Sequence, residues 1–219
     1  MIHILYSDGD LAVCVKPAGV LSEGQAPDTL PSLLGTQLEK TVYPVHRLDR
    51  GTEGLMVFAL SSSAAASLSR QIAEGGMKKE YLAVICGAPP EEKGEMVDLL
   101  FYDRRVGKAF VADRARKGVK EARLSYICLA RNGGHSLVRV RLHTGRTHQI
   151  RVQFASRGLP LVGDRRYGAP AEGLSAALFS HALSFAHPRT GNALSFRLSP
   201  EPNEGSAWVA FAEYFAEME

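Results

Sequence analysis

Short apolar runs, broken by glycine and proline, set the tightest limit on how this chain folds. The pattern is clearest in Ser136-Leu137-Val138-Arg139-Val140-Arg141-Leu142, where valine and leucine alternate with arginine. A period of two marks a strand with one wet face. Residues 2–6 and 11–15 read as a hairpin around Asp8-Gly9-Asp10, with Lys16-Pro17-Ala18-Gly19 ending its second strand. Residues 55–60 and 79–86 read as further strands, and 96–143 holds several more. Residues 179–185 and 193–198 form another hairpin pattern around Pro188-Arg189-Thr190-Gly191-Asn192. Helices are expected over 30–40, after a cap within Ser61 to Ser63 and up to Gly75-Gly76, over 147–156 up to Gly158, and over 208–215. Residues 43–54 keep no period and read as a loop. Strands outnumber helices and several connections are hairpin-short. The expectation is an α+β fold with a mixed, mostly antiparallel sheet and flanking helices. With no repeat, low-complexity tract or linker, residues 1–219 read as a single domain.

Hydrophobic residues make up 45% of the chain and charged residues 22%, a balance that excludes intrinsic disorder. The longest apolar run, Leu55 to Leu60, is far shorter than the ~18 residues of a membrane span. No basic start leads into an apolar signal segment, so a cytoplasmic protein without a membrane partner is expected. Cys14, Cys86 and Cys128 are odd in number and lie in apolar runs, as three reduced core thiols would. The net charge of +3 hides a segregation. Residues 104–166 carry 16 Lys or Arg against Asp113, Glu121 and Asp164, and the remainder is net acidic. This is the footprint of a polyanion binder, although a solvated face balanced by the acidic remainder has the same composition.

Several familiar sites are absent. Gly107-Lys108 is followed by Ala109 and lacks the earlier glycine of a phosphate loop. No zinc spacing, H-E-x-x-H, G-x-S-x-G or G-x-G-x-x-G occurs. Two polar segments remain. In His46-Arg47-Leu48-Asp49-Arg50-Gly51-Thr52-Glu53-Gly54 a carboxylate sits between two guanidiniums, which should keep it ionised. It could serve as nucleophile, base or anchor. Taken alone, an Arg–Asp pair holding a loop is the simpler reading. In Arg141-Leu142-His143-Thr144-Gly145-Arg146-Thr147-His148-Gln149-Ile150-Arg151 a strand joins a helix through a glycine turn. Such a helix start offers donors to an anion, and Arg146 and Arg151 add charged forks. With the helix running from Thr147, Arg151 falls on the same face. A helix capped at Thr147 with solvated arginines is the alternative, which leaves so many arginines near one turn unexplained.

These segments resemble the RluA-type pseudouridine synthases. His46-Arg47-Leu48-Asp49, with Thr52 and Gly54, resembles that family's H-R-L-D-x-x-T-S-G signature, with Glu53 where the family has serine. Lys16-Pro17-Ala18-Gly19 resembles its K-P-x-G motif, and Lys79-Glu80-Tyr81-Leu82-Ala83 its K-x-Y-x-A strand. Thr144 to Arg151 resembles T-G-R-T-H-Q-I-R. Gly158 to Asp164, with Tyr167-Gly168, resembles the G-x-P-I-x-G-D-x-x-Y-G segment. The motifs keep the family's order and spacing across most of residues 5–200.

The resemblance implies the pseudouridine synthase fold, with a central RNA-binding cleft. It implies a stand-alone catalytic domain without the S4-type domain that many relatives carry. It makes Asp49 the nucleophile and Tyr81 the group against the uracil ring that helps remove the C5 proton. Arg151 becomes the partner of Asp49. Arg47 would position the flipped nucleotide, Arg146 and His148 would contact RNA or brace the site, and Ile150 and Leu161 would pack around the base. Lys16 would be structural, and Glu53 would pair with Arg50 or face away from RNA. The reaction moves the glycosidic bond from N1 to C5 without gain or loss of atoms, so it needs neither cofactor nor metal in principle. Attack at ribose C1′ or uracil C6 both remain open. The target is rRNA or tRNA, the base must leave the stack, and the protein would act as a monomer. Residues 104–123, with Arg104, Arg105 and Lys108, would bind RNA backbone. A catalytically silent RNA binder and a small-substrate hydrolase using Asp49 are the alternatives.

Overall fold

The computed structural model describes residues 1–170 and 175–217. In chain order the elements are β1 (Ile4–Ser7), β2 (Leu11–Lys16), α1 (Leu30–Leu38), β3 (Tyr43–Pro44), β4 (Glu53–Ala59) and α2 (Ser62–Ala73). Then come β5 (Lys78–Cys86), β6 (Lys93–Asp103), β7 (Lys108–Ala112), β8 (Val119–Asn132), β9 (His135–Leu142) and α3 (Gln149–Ala155). A 3-10 turn at Arg165–Tyr167, β10 (Leu178–Ala186), β11 (Ala193–Arg197), a 3-10 turn at Val209–Phe211 and α4 (Ala212–Ala216) follow. The α+β expectation holds. Among the described residues no helix is long and apolar enough to cross a membrane.

Contacts divide the chain into two compact units, residues 1–79 with 179–198, and residues 80–178 with 199 onward. In the first unit the strand order is β1-β2-β4-β10, with β3 on β4 and β11 on β10. The β1–β2 hairpin forms where expected. The Asp8 carboxylate accepts from Asp10 N at 2.7 Å and Leu11 N at 3.0 Å, which closes the turn. His187 pins this turn to the one between β10 and β11. Its Nδ1 accepts from Arg189 N and Thr190 N, so its Nε2–H donates to Asp8 at 2.8 Å. The Oγ of Ser61 accepts from Ala64 N and caps α2, as its sequence predicts. Leu11, Val13, Leu55, Val57, Leu68, Leu183 and Phe185 form this unit's buried core.

The β4–β10 pair is parallel, with Gly54 opposite Ser180. Gly54 has φ 109°, and a Cβ there would stand 2.4 Å from the Ser180 carbonyl oxygen. Only glycine allows the strand to start so close to its neighbour. Two expectations for this unit need correction. Residues 43–54 are not all loop, because Tyr43–Pro44 pairs with β4 and Glu53 opens it. A two-residue strand is too short to show a period. Of the three thiols only Cys14 is core, and burial pushes it up to about 12. Cys86 and Cys128 are half-buried.

In the second unit the order is β5-β9-β8-β6-β7. Leu100, Ala109, Ala122, Val152 and Tyr167 pack into one buried cluster, which seats α3 on the β6–β7–β8 face. The helix expected over 147–156 is shorter, Gln149–Ala155. Thr147 and His148 precede it, and His148 is left-handed at φ 55°. The helix expected over 208–215 is a 3-10 turn followed by α4.

Candidate active site

Asp49 is half-buried in a loop fixed on every side. Before it, buried Ser22 clamps the two peptides on either side of Leu48: its Oγ donates to Leu48 O at 2.8 Å and accepts from Leu48 N at 3.2 Å. Beside it, Thr52 N donates to Asp49 O at 3.0 Å and closes a turn. Gly19 N donates to Arg50 O, and Arg50 Nε donates back to Gly19 O at 2.9 Å. Beneath the turn lies Lys16, whose side chain is wholly buried. Its Nζ donates to Pro17 O at 2.9 Å, Arg50 O at 3.0 Å and Thr52 O at 2.8 Å. The lysine's three donors thus meet three loop carbonyls. Burial pulls this lysine down to about 8, against the upward pull of the Glu53 and Asp49 carboxylates.

The motif's other members are tied down as well. His46 Nε2 accepts from Val57 N at 3.1 Å, joining the loop to β4. Burial, aided by Lys79, lowers His46 to about 3, so its imidazole is neutral at ordinary pH. Arg47 reaches outward and pairs with Glu23 at 2.7 Å, both half-exposed. Glu53 accepts from Ala18 N at 3.2 Å, so this departure from the serine pattern fastens the loop to the Lys16-Pro17-Ala18-Gly19 turn. The guanidiniums flanking Asp49 in sequence therefore have Glu23 and Gly19 O as short contacts.

In the second unit, Arg151 projects from α3 with its side chain 13% exposed. Asp164, 1% exposed, grips it with two hydrogen bonds, from Nε at 2.7 Å and from Nη2 at 2.8 Å. This fork fixes the plane of the guanidinium. Tyr167 is the hub beside it. The Arg151 guanidinium lies 5.1 Å over its ring and the Lys108 ammonium 5.0 Å over it. His148 meets that ring edge-on, with Nδ1 2.9 Å from the hydroxyl, and the hydroxyl accepts from Ala109 N at 2.8 Å. His148 and Arg151 therefore share one ring with Lys108, which lies 40 residues before His148 in the sequence.

The start of α3 works differently from its expected form. Gln149, not Thr147, satisfies the turn: its Oε1 accepts from Arg146 N at 2.9 Å and Thr144 Oγ1 at 2.8 Å. Its Nε2 donates to Arg123 O at 3.1 Å. The Arg146 amide is thus occupied by the protein itself. Arg146 Nε donates to Glu121 O at 2.8 Å, a bracing contact. Ile150 and Leu161 are buried, and Leu161 bridges to Ile85 on β5. Tyr81 is buried on β5. Arg104 and Arg105 stand exposed at the tip of the β6–β7 hairpin, where the Asp103 carboxylate accepts from Arg105 N at 2.8 Å.

Residues 10–156 match the model of the RNA pseudouridylate synthase family. The dual-specificity RNA pseudouridine synthase RluA of Pasteurella multocida is 37% identical over 209 residues, covering 91% of this chain and 93% of the relative. The protein of that name from Escherichia coli K12 is 35% identical, covering 89% and 91%. The chain belongs to the RluA-type RNA pseudouridine synthases. It is accordingly an isomerase whose substrate is RNA. Among solved structures, human RNA pseudouridylate synthase domain containing 1 superposes with a TM-score of 0.78 at 24% identity, over 92% of this chain and 84% of that one, which establishes the fold.

The structure also places at the site residues that no sequence pattern singles out. Asp164 carries the aim of Arg151, and its only signal is its place in the Gly163-Asp164 motif. Tyr167 and Gln149 likewise sit in matched motifs whose spacing says nothing of what they touch. Ser22 and Glu23 lie outside every motif, and nothing in the sequence marks them.

Proposed function

We propose that this synthase converts uridine in rRNA or tRNA to pseudouridine with Asp49 as nucleophile. The observation that carries the reading is the anchoring of the Asp49 loop by Lys16, Ser22 and Gly19. A half-buried carboxylate held at a fixed point is what covalent catalysis requires. The target base leaves the stack, and Arg47 holds its place. Tyr81 lies against the uracil and assists loss of the C5 proton. Arg151, oriented by Asp164, supplies positive charge to the reaction. Ile150 and Leu161 give the base its apolar surroundings, and Arg146 and His148 brace the site or touch RNA. Arg104, Arg105 and Lys108 take backbone phosphates, a contact that weakens with salt. The chain works as one monomeric catalytic domain in the cytoplasm, without cofactor or metal. Relatives named as dual-specificity enzymes favour a target presented by more than one RNA.

The test is tritium release from unmodified cellular RNA labelled at C5 of uridine, with wild type and Asp49→Ala side by side. Release by wild type alone is expected. Release by both would remove Asp49 from the mechanism. Tight RNA binding without release by either would turn the reading to a silent RNA binder.

A further inference from the structure

The outer side of the β6–β7 hairpin carries two phenyl rings turned away from the core. Phe101 and Phe110 are directly opposed in the antiparallel pair, which sets them on one face. The other face, with Leu100 and Ala109, packs on Val152 and Tyr167. Phe110 is 43% exposed on strand β7, which ends the strand order. Each ring has a cation over it: Lys108 Nζ lies 5.7 Å from the Phe110 centroid, and Arg116 Cζ 5.6 Å from that of Phe101. The turn that delivers Arg116 is closed by Val119 N donating to Arg116 O at 3.0 Å. Gly118 stands at its third position with φ 86°, where this type of turn needs glycine. A Cβ at Gly118 would be 3.6 Å from the Phe101 ring, so the turn folds against that ring. Arg104 and Arg105 extend the positive charge at the hairpin tip.

We propose that Phe110, with Phe101 opposite it on the same face, is a stacking platform for an unpaired base of the substrate RNA outside the reacting uridine. The inference rests on the RNA-modifying reading above and adds a contact that phosphate binding does not supply. Exposed rings interleaved with cations are the composition that single-stranded nucleic acid uses. The ring stacks on the face of any base, while the cations neutralise the backbone. A protein partner would favour a patch depleted of charge at its centre, and here a cation lies within about 6 Å of each ring centroid. A duplex hides its base faces, so the occupant is unpaired RNA.

The experiment uses fluorescence anisotropy with two labelled RNAs of equal charge, a stem-loop and a blunt duplex. Phe110→Ala should weaken stem-loop binding at least about fivefold, and duplex binding by much less. Its salt slope should match wild type, because no cation is lost. Lys108→Ala should instead lower the slope by about one on both RNAs. Phe110→Trp should restore stem-loop affinity, and Phe110→Leu, apolar but without a ring, should not. Equal losses on both RNAs, no loss on either, or full affinity in Phe110→Leu would overturn the platform. So would a wild-type dimer that Phe110→Ala converts to monomer, since the ring would then be buried between copies. Tritium release by wild type is scored separately. Its failure sinks the uridine reading, whereas the anisotropy series judges the platform alone.

Discussion

Replacing Lys16 by methionine removes the ammonium under the Asp49 loop and keeps most of the apolar stem. Three carbonyls then lose their donor. The bond to Thr52 O is fully buried, and a bare acceptor there costs about 1–3 kcal/mol. Pro17 O and Arg50 O are only partly buried and can turn to water, so each loses about 1 kcal/mol. Relief from burying a charge offsets part of this. The net expectation at pH 7 is a loss of about 2–4 kcal/mol, or roughly 4–16 °C in Tm for a chain of this length. The pH dependence is more diagnostic. Below pH 8 the folded and unfolded chains both hold the lysine proton. Between about 8 and 10.5 the folded chain has released it and the unfolded chain has not, so the part of stability due to Lys16 rises with pH. The gap between wild type and Lys16→Met should therefore widen by up to about 3 kcal/mol across that window. Urea denaturation at pH 7, 8, 9 and 10 measures it. A gap that stays constant or narrows would refute the reasoning, because the three carbonyls and not burial would then govern the lysine's proton affinity.

Two further substitutions probe the site's supports. Asp164→Asn leaves the Arg151 guanidinium with a neutral partner in a nearly dry place; urea denaturation should show a loss of about 2–4 kcal/mol, and tritium release should fall tenfold or more. An unchanged midpoint would mean that Arg151 does not depend on this fork. Glu23→Gln frees Arg47 from its half-exposed pair, worth at most about 1 kcal/mol, so RNA binding at low salt should tighten by up to about fivefold and the gain should vanish at high salt. Weaker binding would show instead that Glu23 orients Arg47 for RNA.

The strands were legible because alternation reports which face is wet, and the α2 cap because Ser61 acts within three residues of itself. The start of α3 was not. Thr147 looks like a capping residue, but a side chain beyond it, Gln149, reaches back and takes the donors. His148 accepts a left-handed backbone there, which no period reports. In the site, the matched motifs singled out Asp49, Arg151 and Tyr81, and Lys16 as structural. They did not tell how Lys16 works, because a buried ammonium on three carbonyls exists only once residues 16, 50 and 52 are folded together. Arg47 and Arg50 are neighbours of Asp49 in sequence. The turn closed by Thr52 gives each its own partner, Glu23 and Gly19 O. Asp164 stayed hidden because its value is relational: it matters through the arginine it aims.

Tyr167 has a mechanical consequence. Its hydroxyl is fastened to the backbone of β7 at Ala109, and its ring carries the guanidinium that α3 presents. The hairpin and the helix therefore share one rigid strut. A tilt of the hairpin, whatever drives it, drags the ring, and the Arg151 fork must follow or give up its cation–ring contact. A substitution that shifts the hairpin at Ala109 is therefore expected to disturb the Arg151 guanidinium, and one that shifts Arg151 to disturb the ring.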